Sequence, residues 1–189
     1  MSKNKLAILV GVIVLVVAGI GAAIFIMNQN KSDGTPQGTG NSSNNSSYTA
    51  IAACDALTLD EAKTILGDAA TPGDSSPAAT TDSLSVDTCS YTNNATAISD
   101  LRIISIMTRS ALDKDGMDSN AEAFEAGGSA NMSGATTVEG YGDKAFWDPT
   151  TYQLAVLDGT VWYGIVYGGT DPTTNTLEDT KLVAELAIN

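Results

Sequence analysis

Residues 144–167 read KAFWDPTTYQLAVLDGTVWYGIVY, three apolar runs separated by two turn signals. The first turn, Asp148-Pro149-Thr150-Thr151, carries proline at the position that a tight turn favours. Asp158-Gly159 is a strong signal for a two-residue hairpin. Side chains in the later runs alternate between two faces, as they do in strands. The stretch therefore predicts an antiparallel meander of three strands, Lys144–Trp147, Tyr152–Leu157 and Thr160–Tyr167.

Further strands are predicted on the amino-terminal side of this meander. The strongest is Ile98–Thr108, because its apolar residues occupy both faces, as in a covered central strand. One face carries Leu101, Ile103 and Met107, and the other carries Ile104 and Ile106. Val86–Thr92 and Thr136–Glu139 are predicted as shorter strands. The turn Gly140-Tyr141-Gly142-Asp143 follows the second of them and needs the backbone freedom of glycine.

Three helices are predicted around these strands. Thr58-Leu59-Asp60-Glu61 matches the capping box that begins a helix, and Gly67 ends that helix. A second helix is predicted to begin at Asp118 or Ser119, with Glu122 completing a capping box, and to end at Gly127-Gly128. The third spans Thr176–Ile188. Ala121 and Phe124 are the predicted buried positions of the second helix. In the third helix, the positions predicted to face the sheet are Leu177, Val183, Leu186 and Ala187.

Runs of strands with segregated helices predict an α+β fold, an antiparallel sheet packed by about three helices. Asp68–Ser85 is rich in Pro, Ser, Thr, Ala and Asp and is predicted to be a long loop. Asp113–Asp118 superficially matches a calcium loop. An EF-hand places glycine sixth, however, and Gly116 is fourth, so the pattern favours a turn. No metal site and no cofactor is predicted.

The chain contains two cysteines, Cys54 and Cys89, and no histidine. An even pair on the exported side of a membrane favours one disulfide. Their spacing excludes a CxxC redox site, and a metal site would lack further Cys or His ligands. The absence of histidine also removes Ser-His-Asp triads and the usual general base.

Residues 6–27 read LAILVGVIVLVVAGIGAAIFIM, long enough to cross a bilayer as a helix. A cleaved signal peptide is the alternative, with Gly21 and Ala23 at the cleavage site, but Ile24–Met27 would then remain as an apolar stub. Lys3 and Lys5 favour a cytoplasmic tip at residues 1–5 and export of the rest. Residues 28–47, rich in Gly, Ser and Asn, predict a flexible linker, and residues 48–189 an extracytoplasmic domain.

The net charge disfavours two classes of partner. Removing Lys3, Lys5, Lys31 and Asp33 from the 9 basic and 22 acidic residues leaves 6 and 21, a net charge of −15 for residues 48–189. Nucleic acids and anionic lipid headgroups select basic surfaces, so neither is an expected partner of this domain.

Three motifs in order are similar to a known pattern: Cys54-Asp55-x-Leu57-Thr58-x-x-Glu61-Ala62-x-x-x-Leu66-Gly67, then Cys89-Ser90-Tyr91, then Gly140-Tyr141-Gly142-Asp143-x-Ala145. Together they resemble the actinobacterial-type family of extracytoplasmic lipoproteins of unknown function. The resemblance implies a Cys54–Cys89 disulfide, an antiparallel α/β sandwich and no known catalytic residue. This chain lacks the lipobox usual in that family and has the apolar helix instead.

The function expected from these features is a binding or protein-interaction module of the cell envelope, held by its amino-terminal helix. Tyr141, Trp147 and Trp162 are the candidate ligand-binding residues, with core packing as the alternative role for such aromatic side chains. Envelope proteins or glycans are the expected partners. The other candidate function is a carboxylate-dependent hydrolase of cell-wall polymers that uses acids such as Glu139, Asp143 and Asp148.

Overall fold

The computed structural model of the protein describes residues 48–73, 75–128, 134–171, 173 and 175–188. The predicted cytoplasmic tip, membrane anchor and linker lie outside these residues. Within the described part of the chain, no helix has the length and apolar character needed to span a membrane.

Among the described residues, eight strands form one sheet in which every pairing is antiparallel. The spatial order is β1-β3-β4-β8-β7-β6-β5, and β2 also pairs with β3. The strands are β1 (Thr71–Pro72), β2 (Ser76–Thr80), β3 (Leu84–Thr92), β4 (Arg102–Ala111), β5 (Thr136–Thr137), β6 (Lys144–Asp148), β7 (Gln153–Asp158) and β8 (Val161–Gly169).

The meander predicted from residues 144–167 is confirmed, since β6, β7 and β8 are successive neighbours in the sheet. Asp158 pairs with Val161, so the two loop residues are Gly159 and Thr160, one position later than the Asp158-Gly159 signal. Gly159 has φ +54°, a left-handed conformation that glycine adopts without strain.

The predicted central strand is also confirmed, because β4 lies between β3 and β8. Ile104 and Ile106 are fully buried on one side of β4, and Met107 is buried on the other. We call the side that carries Ile104, Ile106 and Ile165 the inner face of the sheet. The side that carries Met107, Arg109 and Trp162 is the outer face.

Four α-helices occur among the described residues: α1 (Ala53–Ala56), α2 (Leu59–Leu66), α3 (Lys114–Gly128) and α4 (Leu177–Ala187). Side chains of α1, α2 and α4, including Ala53, Ala62 and Val183, join the inner-face core. Helix α3 packs on the outer face, where the ring of Phe124 contacts that of Trp162. The helices therefore cover both sides of an antiparallel sheet, as an α+β fold requires.

Local signals explain where α2 begins and ends. The Thr58 hydroxyl accepts the Glu61 N–H at 3.4 Å, and the Glu61 carboxylate accepts the Thr58 N–H at 2.8 Å. This is the predicted capping box. Gly67, with φ +88°, ends the helix.

Three predictions about local structure are wrong. Asp68–Ser85 is not a continuous loop, because it contains β1 and β2 and the start of β3. Helix α3 begins at Lys114 rather than after Asp118, since the Asp113 carboxylate accepts the Gly116 N–H at 2.8 Å. Ala121, predicted to be buried, is exposed, whereas Phe124 is fully buried as predicted. The short helix α1 makes four helices instead of about three.

The Cys54–Cys89 disulfide is present and joins α1 to β3. Cys89 is 2% exposed, within the inner-face core. The bond closes a loop with a sequence separation of 35 residues, which corresponds to about 3–4 kcal/mol of stabilisation in the chain-entropy model. It therefore fastens the amino-terminal helices to the sheet.

Candidate functional site

The structure separates the two tryptophans that the sequence placed at one candidate surface. Trp147 pairs with Leu154, and Leu154 in turn pairs with Ile165 of the inner face. Trp147 therefore belongs to the inner-face core, and 8% of its surface is exposed. Trp162 lies on the outer face at 4% exposure and pairs with Arg109. Because they lie on opposite faces of the sheet, Trp147 and Trp162 do not line one common surface.

Trp162 belongs to a cluster that fastens α3 to the outer face. The Phe124 ring stands edge-on to the Trp162 ring at 5.7 Å and lies 5.4 Å from the Phe146 ring. The Arg109 guanidinium lies 5.8 Å from the centre of the Trp162 ring, a distance at which a cation is attracted to the aromatic face. The cluster thus packs aromatic rings and one cation between α3 and the sheet.

Hydrogen bonds to α3 hold the Arg109 side chain within this cluster. Arg109 Nη1 donates to Asn120 Oδ1 at 2.5 Å, and Nη2 donates to Ser119 Oγ at 3.0 Å. Asn120 Nδ2 donates to the carbonyls of Arg109 and Thr160 at 2.9 and 3.0 Å. Burial lowers the pKa of Arg109 to about 10, so the group stays charged at neutral pH. Arg109 therefore braces the helix against the sheet.

The carboxylates considered for hydrolysis stabilise turns. Asp143 Oδ2 accepts the Gly159 N–H at 2.9 Å, across the β7–β8 hairpin. Asp148 accepts the Thr150 N–H at 2.7 Å and the Thr151 hydroxyl at 2.8 Å. Asp143 precedes β6 and Asp148 is its last residue, so the two acids are separated by about 16 Å of strand. Glycoside hydrolysis uses carboxyl groups about 5–10 Å apart, so Asp143 and Asp148 do not form such a pair. Glu139 is exposed.

Asp148 also loses its proton at a lower pH than an ordinary aspartate does. Burial by itself would raise its pKa, but the hydrogen bonds from Thr150 and Thr151 outweigh burial and lower the pKa below its usual 3.8. A general acid needs a raised pKa at neutral pH. The environment of Asp148 has the opposite effect.

Tyr141 is the predicted site residue that reaches solvent. Its ring packs against the edge of the inner-face core and is half-buried. The flanking glycines adopt φ +88° at Gly140 and +51° at Gly142, and a Cβ on Gly142 would lie 2.5 Å from the Leu157 carbonyl oxygen. The turn therefore requires glycine at Gly142, and it holds Tyr141 at the surface.

The Tyr141 side chain contacts helix α4. Its hydroxyl donates to Glu185 Oε1 at 3.2 Å. Burial, the hydrogen bond to Glu185, and the negative charges of Glu185 and Glu178 all raise the pKa of Tyr141. The phenol is therefore protonated at neutral pH and remains a hydrogen-bond donor. The hydrogen bond places the Tyr141 hydroxyl against Glu185 of α4.

Helix α4 has a buried face and a solvent face at the expected helical spacing. Thr176 caps its amino terminus by accepting the Asp179 N–H at 3.2 Å. The buried face carries Thr180, Val183, Ala184 and Ala187. The solvent face carries Glu178, Leu182 and Glu185, all exposed. Leu182 is 51% exposed and is the one exposed large hydrophobic residue in the described part of the chain.

Leu182 and Glu185 were not among the residues singled out from the sequence. The signal was present, because Glu178, Leu182 and Glu185 are spaced four and three residues apart and so share one helix face. We define the α4 surface as Tyr141 together with Glu178, Leu182 and Glu185. It offers an aromatic ring, an aliphatic side chain and two carboxylates to solvent.

The described residues contain no group of three or more Cys, Asp or Glu side chains placed to hold a metal ion. Comparison of the chain with protein-family models, with curated proteins and with solved structures finds no match. The function of the protein must therefore be argued from its own residues.

Proposed function

We propose that the protein is a membrane-anchored, extracytoplasmic binding module of the cell envelope, with other envelope proteins as its partners. The observation that carries the proposal is the Cys54–Cys89 disulfide. Such bonds form and persist in oxidising compartments outside the cytoplasm. The apolar segment at residues 6–27 supplies the route of export and the anchor.

The first described residues of the domain, which follow the proposed linker, are hydrogen-bonded to the sheet. Ile51 N–H donates to Ser110 Oγ at 3.0 Å, and its carbonyl accepts the Thr108 hydroxyl at 2.7 Å. Two residues later, the Ala53 N–H donates to Asp87 Oδ2 at 2.8 Å. These bonds and the disulfide fasten the segment that follows the linker to β3 and β4. The start of the described domain is therefore held against the middle of the sheet.

The surface of the domain suits protein partners rather than lipids or nucleic acids. Each of the four lysines in the described chain forms an ion pair with a carboxylate. Arg109 is buried, and the half-buried Arg102 donates to the carbonyls of Ser99 and Leu101. Unpaired positive charge is thus scarce on a domain of net charge −15. The proposal accordingly places the membrane contact in the amino-terminal helix and not in the domain.

Topology and redox state test the proposal together. The full chain is produced in cells that make it naturally, and the cells are stripped of their wall and treated with a protease. We expect release of a fragment that begins within the linker, and non-reducing mass spectrometry of that fragment should show Cys54 linked to Cys89. Protection of the domain from protease, or two free thiols in the fragment, would contradict the proposal.

A further inference from the structure

We propose that the α4 surface docks a basic amphipathic segment of a partner protein, with an apolar side chain of that segment on Leu182 and its Lys or Arg side chains on Glu178 and Glu185. This inference rests on the proposed function, since it names the surface and the class of partner for the binding module. It is carried by the position of Leu182, by the acids around it and by the place of Tyr141.

Leu182 departs from the pattern that the rest of its helix follows. Val183 and Ala184 of α4 are each 0% exposed, and its other leucines, Leu177 and Leu186, pack partly buried against the same core. Leu182 lies on the opposite side, at the centre of the solvent face, with 51% of its surface exposed. Departures from the hydrophobic pattern are expected where a surface has a function. A leucine at this position is available to a partner without any change in the fold.

The surroundings of Leu182 select the charge of the partner. Glu178 lies one turn before Leu182 and Glu185 one turn after it, so carboxylates flank the apolar side chain at both ends. Lys181 pairs with Glu178 at 2.8 Å, yet the Glu178 side chain keeps 79% of its surface exposed. Its carboxylate therefore remains open to a second cation. A partner with Lys or Arg on either side of an apolar residue matches this arrangement.

Tyr141 offers the partner a second apolar contact, and it forms one edge of the α4 surface. Its hydroxyl is bonded to Glu185, which holds the ring beside the solvent face of α4. Tyrosine contributes a large contact area at low cost in conformational entropy, which is why it is enriched at interfaces. The Tyr141 ring and Leu182 are the two apolar contacts that the α4 surface would offer to the apolar side of a partner helix.

The same charge argument disfavours a second copy of this chain as the occupant. Two domains that each carry a net charge of −15 repel one another, and each would bring further carboxylates to the contact. A basic segment is instead attracted from a distance, so its association rate should fall as salt rises.

Photo-crosslinking in the native membrane tests the inference. The full chain carries a benzophenone amino acid at Leu182, or in separate samples at Thr64 on α2 or Asp82 before β3, both exposed. Cross-linked peptides from a partner are sequenced by mass spectrometry. We expect the Leu182 probe to capture a segment with at least two Lys or Arg residues flanking an apolar residue, at least about five-fold more efficiently than the other probes.

Charge reversal provides the matched control. With the probe at Leu182, Glu178→Lys combined with Glu185→Lys should reduce the cross-link at least about ten-fold, and 0.5 M salt should reduce it strongly. Asp82→Lys changes an exposed acid elsewhere and should leave the yield unchanged. Unchanged fluorescence-detected unfolding of each variant shows that the domain is folded.

Other outcomes overturn the inference in distinct ways. Cross-linking from Leu182 to another copy of the chain or to lipid would reject a basic partner segment. A partner captured from Thr64 or Asp82 but not from Leu182 would leave the binding module standing and reject the α4 surface. No cross-link to protein from any of the three positions would contradict the proposed function as well.

Discussion

The two faces of the sheet are covered in different ways. The inner face is sealed by three helices whose contacts are mostly apolar, with Ile104, Ile106, Leu154 and Ile165 all fully buried. The outer face is covered by α3 through an aromatic cluster that also encloses the Arg109 guanidinium. Removal of apolar surface from water is the larger and less directional term in folding. We therefore expect the inner face to contribute most of the free energy of unfolding. The outer face contributes the more directional interactions.

The outer face also contains polar groups whose burial is incompletely compensated. Trp162 Nε1 is buried with no hydrogen-bond partner among the described atoms. Arg109 is buried against neutral acceptors on Asn120 and Ser119. Burial of charge is unfavourable unless the group is fully satisfied. Helix α3 is thus held by a specific but energetically costly arrangement, whereas α4 is held mainly by apolar packing.

The largest predicted effect is seen when the same substitution, leucine to alanine, is made in the core and on the α4 surface. Leu154→Ala removes a fully buried side chain from the inner face and should lower the free energy of unfolding by about 3–5 kcal/mol through lost burial and a cavity. Leu182→Ala, at 51% exposure, should change it by less than about 0.5 kcal/mol. Urea unfolding followed by tryptophan fluorescence measures both. Equal losses in the two variants would show that Leu182 is a packing residue.

The second prediction concerns the covalent link between the inner helices and the sheet. Cys54→Ala combined with Cys89→Ala should lower the free energy of unfolding by about 3–4 kcal/mol, because the unfolded chain regains the entropy of a loop with a separation of 35 residues. Reduction of the wild-type protein with a phosphine serves as the control and should give a similar loss. A midpoint that neither treatment moves would contradict this role.

Much of the sheet was predictable because its signals are local. Alternation and the hairpin at Gly159 identified β7 and β8, and apolar residues on both sides of β4 identified the central strand. The segment 68–85 was mistaken for a loop because β2 contains Pro77 and small residues and lies beside β3 as an outer strand. Such a strand is specified by its neighbour more than by its own composition.

The candidate site was less predictable, because burial depends on long-range packing. Alternation within β8 places Trp162 and Tyr163 on opposite faces of the sheet. It does not show which residues of β6 share a face with Trp162. That relation comes from the pairing of Trp147 with Leu154 and of Leu154 with Ile165. In α4, likewise, Leu182 and Leu186 are alike in sequence, and the packing of the helix exposes the first and half-buries the second.

The third prediction separates packing from charge at the outer face. Arg109→Ala removes the guanidinium that lies over Trp162 and takes away the donor to the buried Asn120 Oδ1. It should lower the free energy of unfolding by about 2–3 kcal/mol. Arg109→Met keeps an unbranched apolar stem and removes the buried charge, so its loss should be at least about 1 kcal/mol smaller. Urea unfolding midpoints of the two variants measure this difference. A methionine variant as unstable as the alanine variant would show that the guanidinium bonds dominate.

The smallest predicted effect is the pH dependence of the outer-face turn that follows β6. Asp148 has a pKa below its usual 3.8. A carboxyl whose pKa is lower in the folded than in the unfolded chain stabilises the fold above the unfolded value, and the contribution disappears as the pH falls through the folded value. Asp148→Asn keeps one acceptor for the Thr150 N–H and the Thr151 hydroxyl but does not titrate. The stability difference between wild type and this variant, measured by urea unfolding at pH 7 and then at pH 3, should therefore shrink. A difference that stays constant over this range would mean that the Asp148 charge does not stabilise the turn.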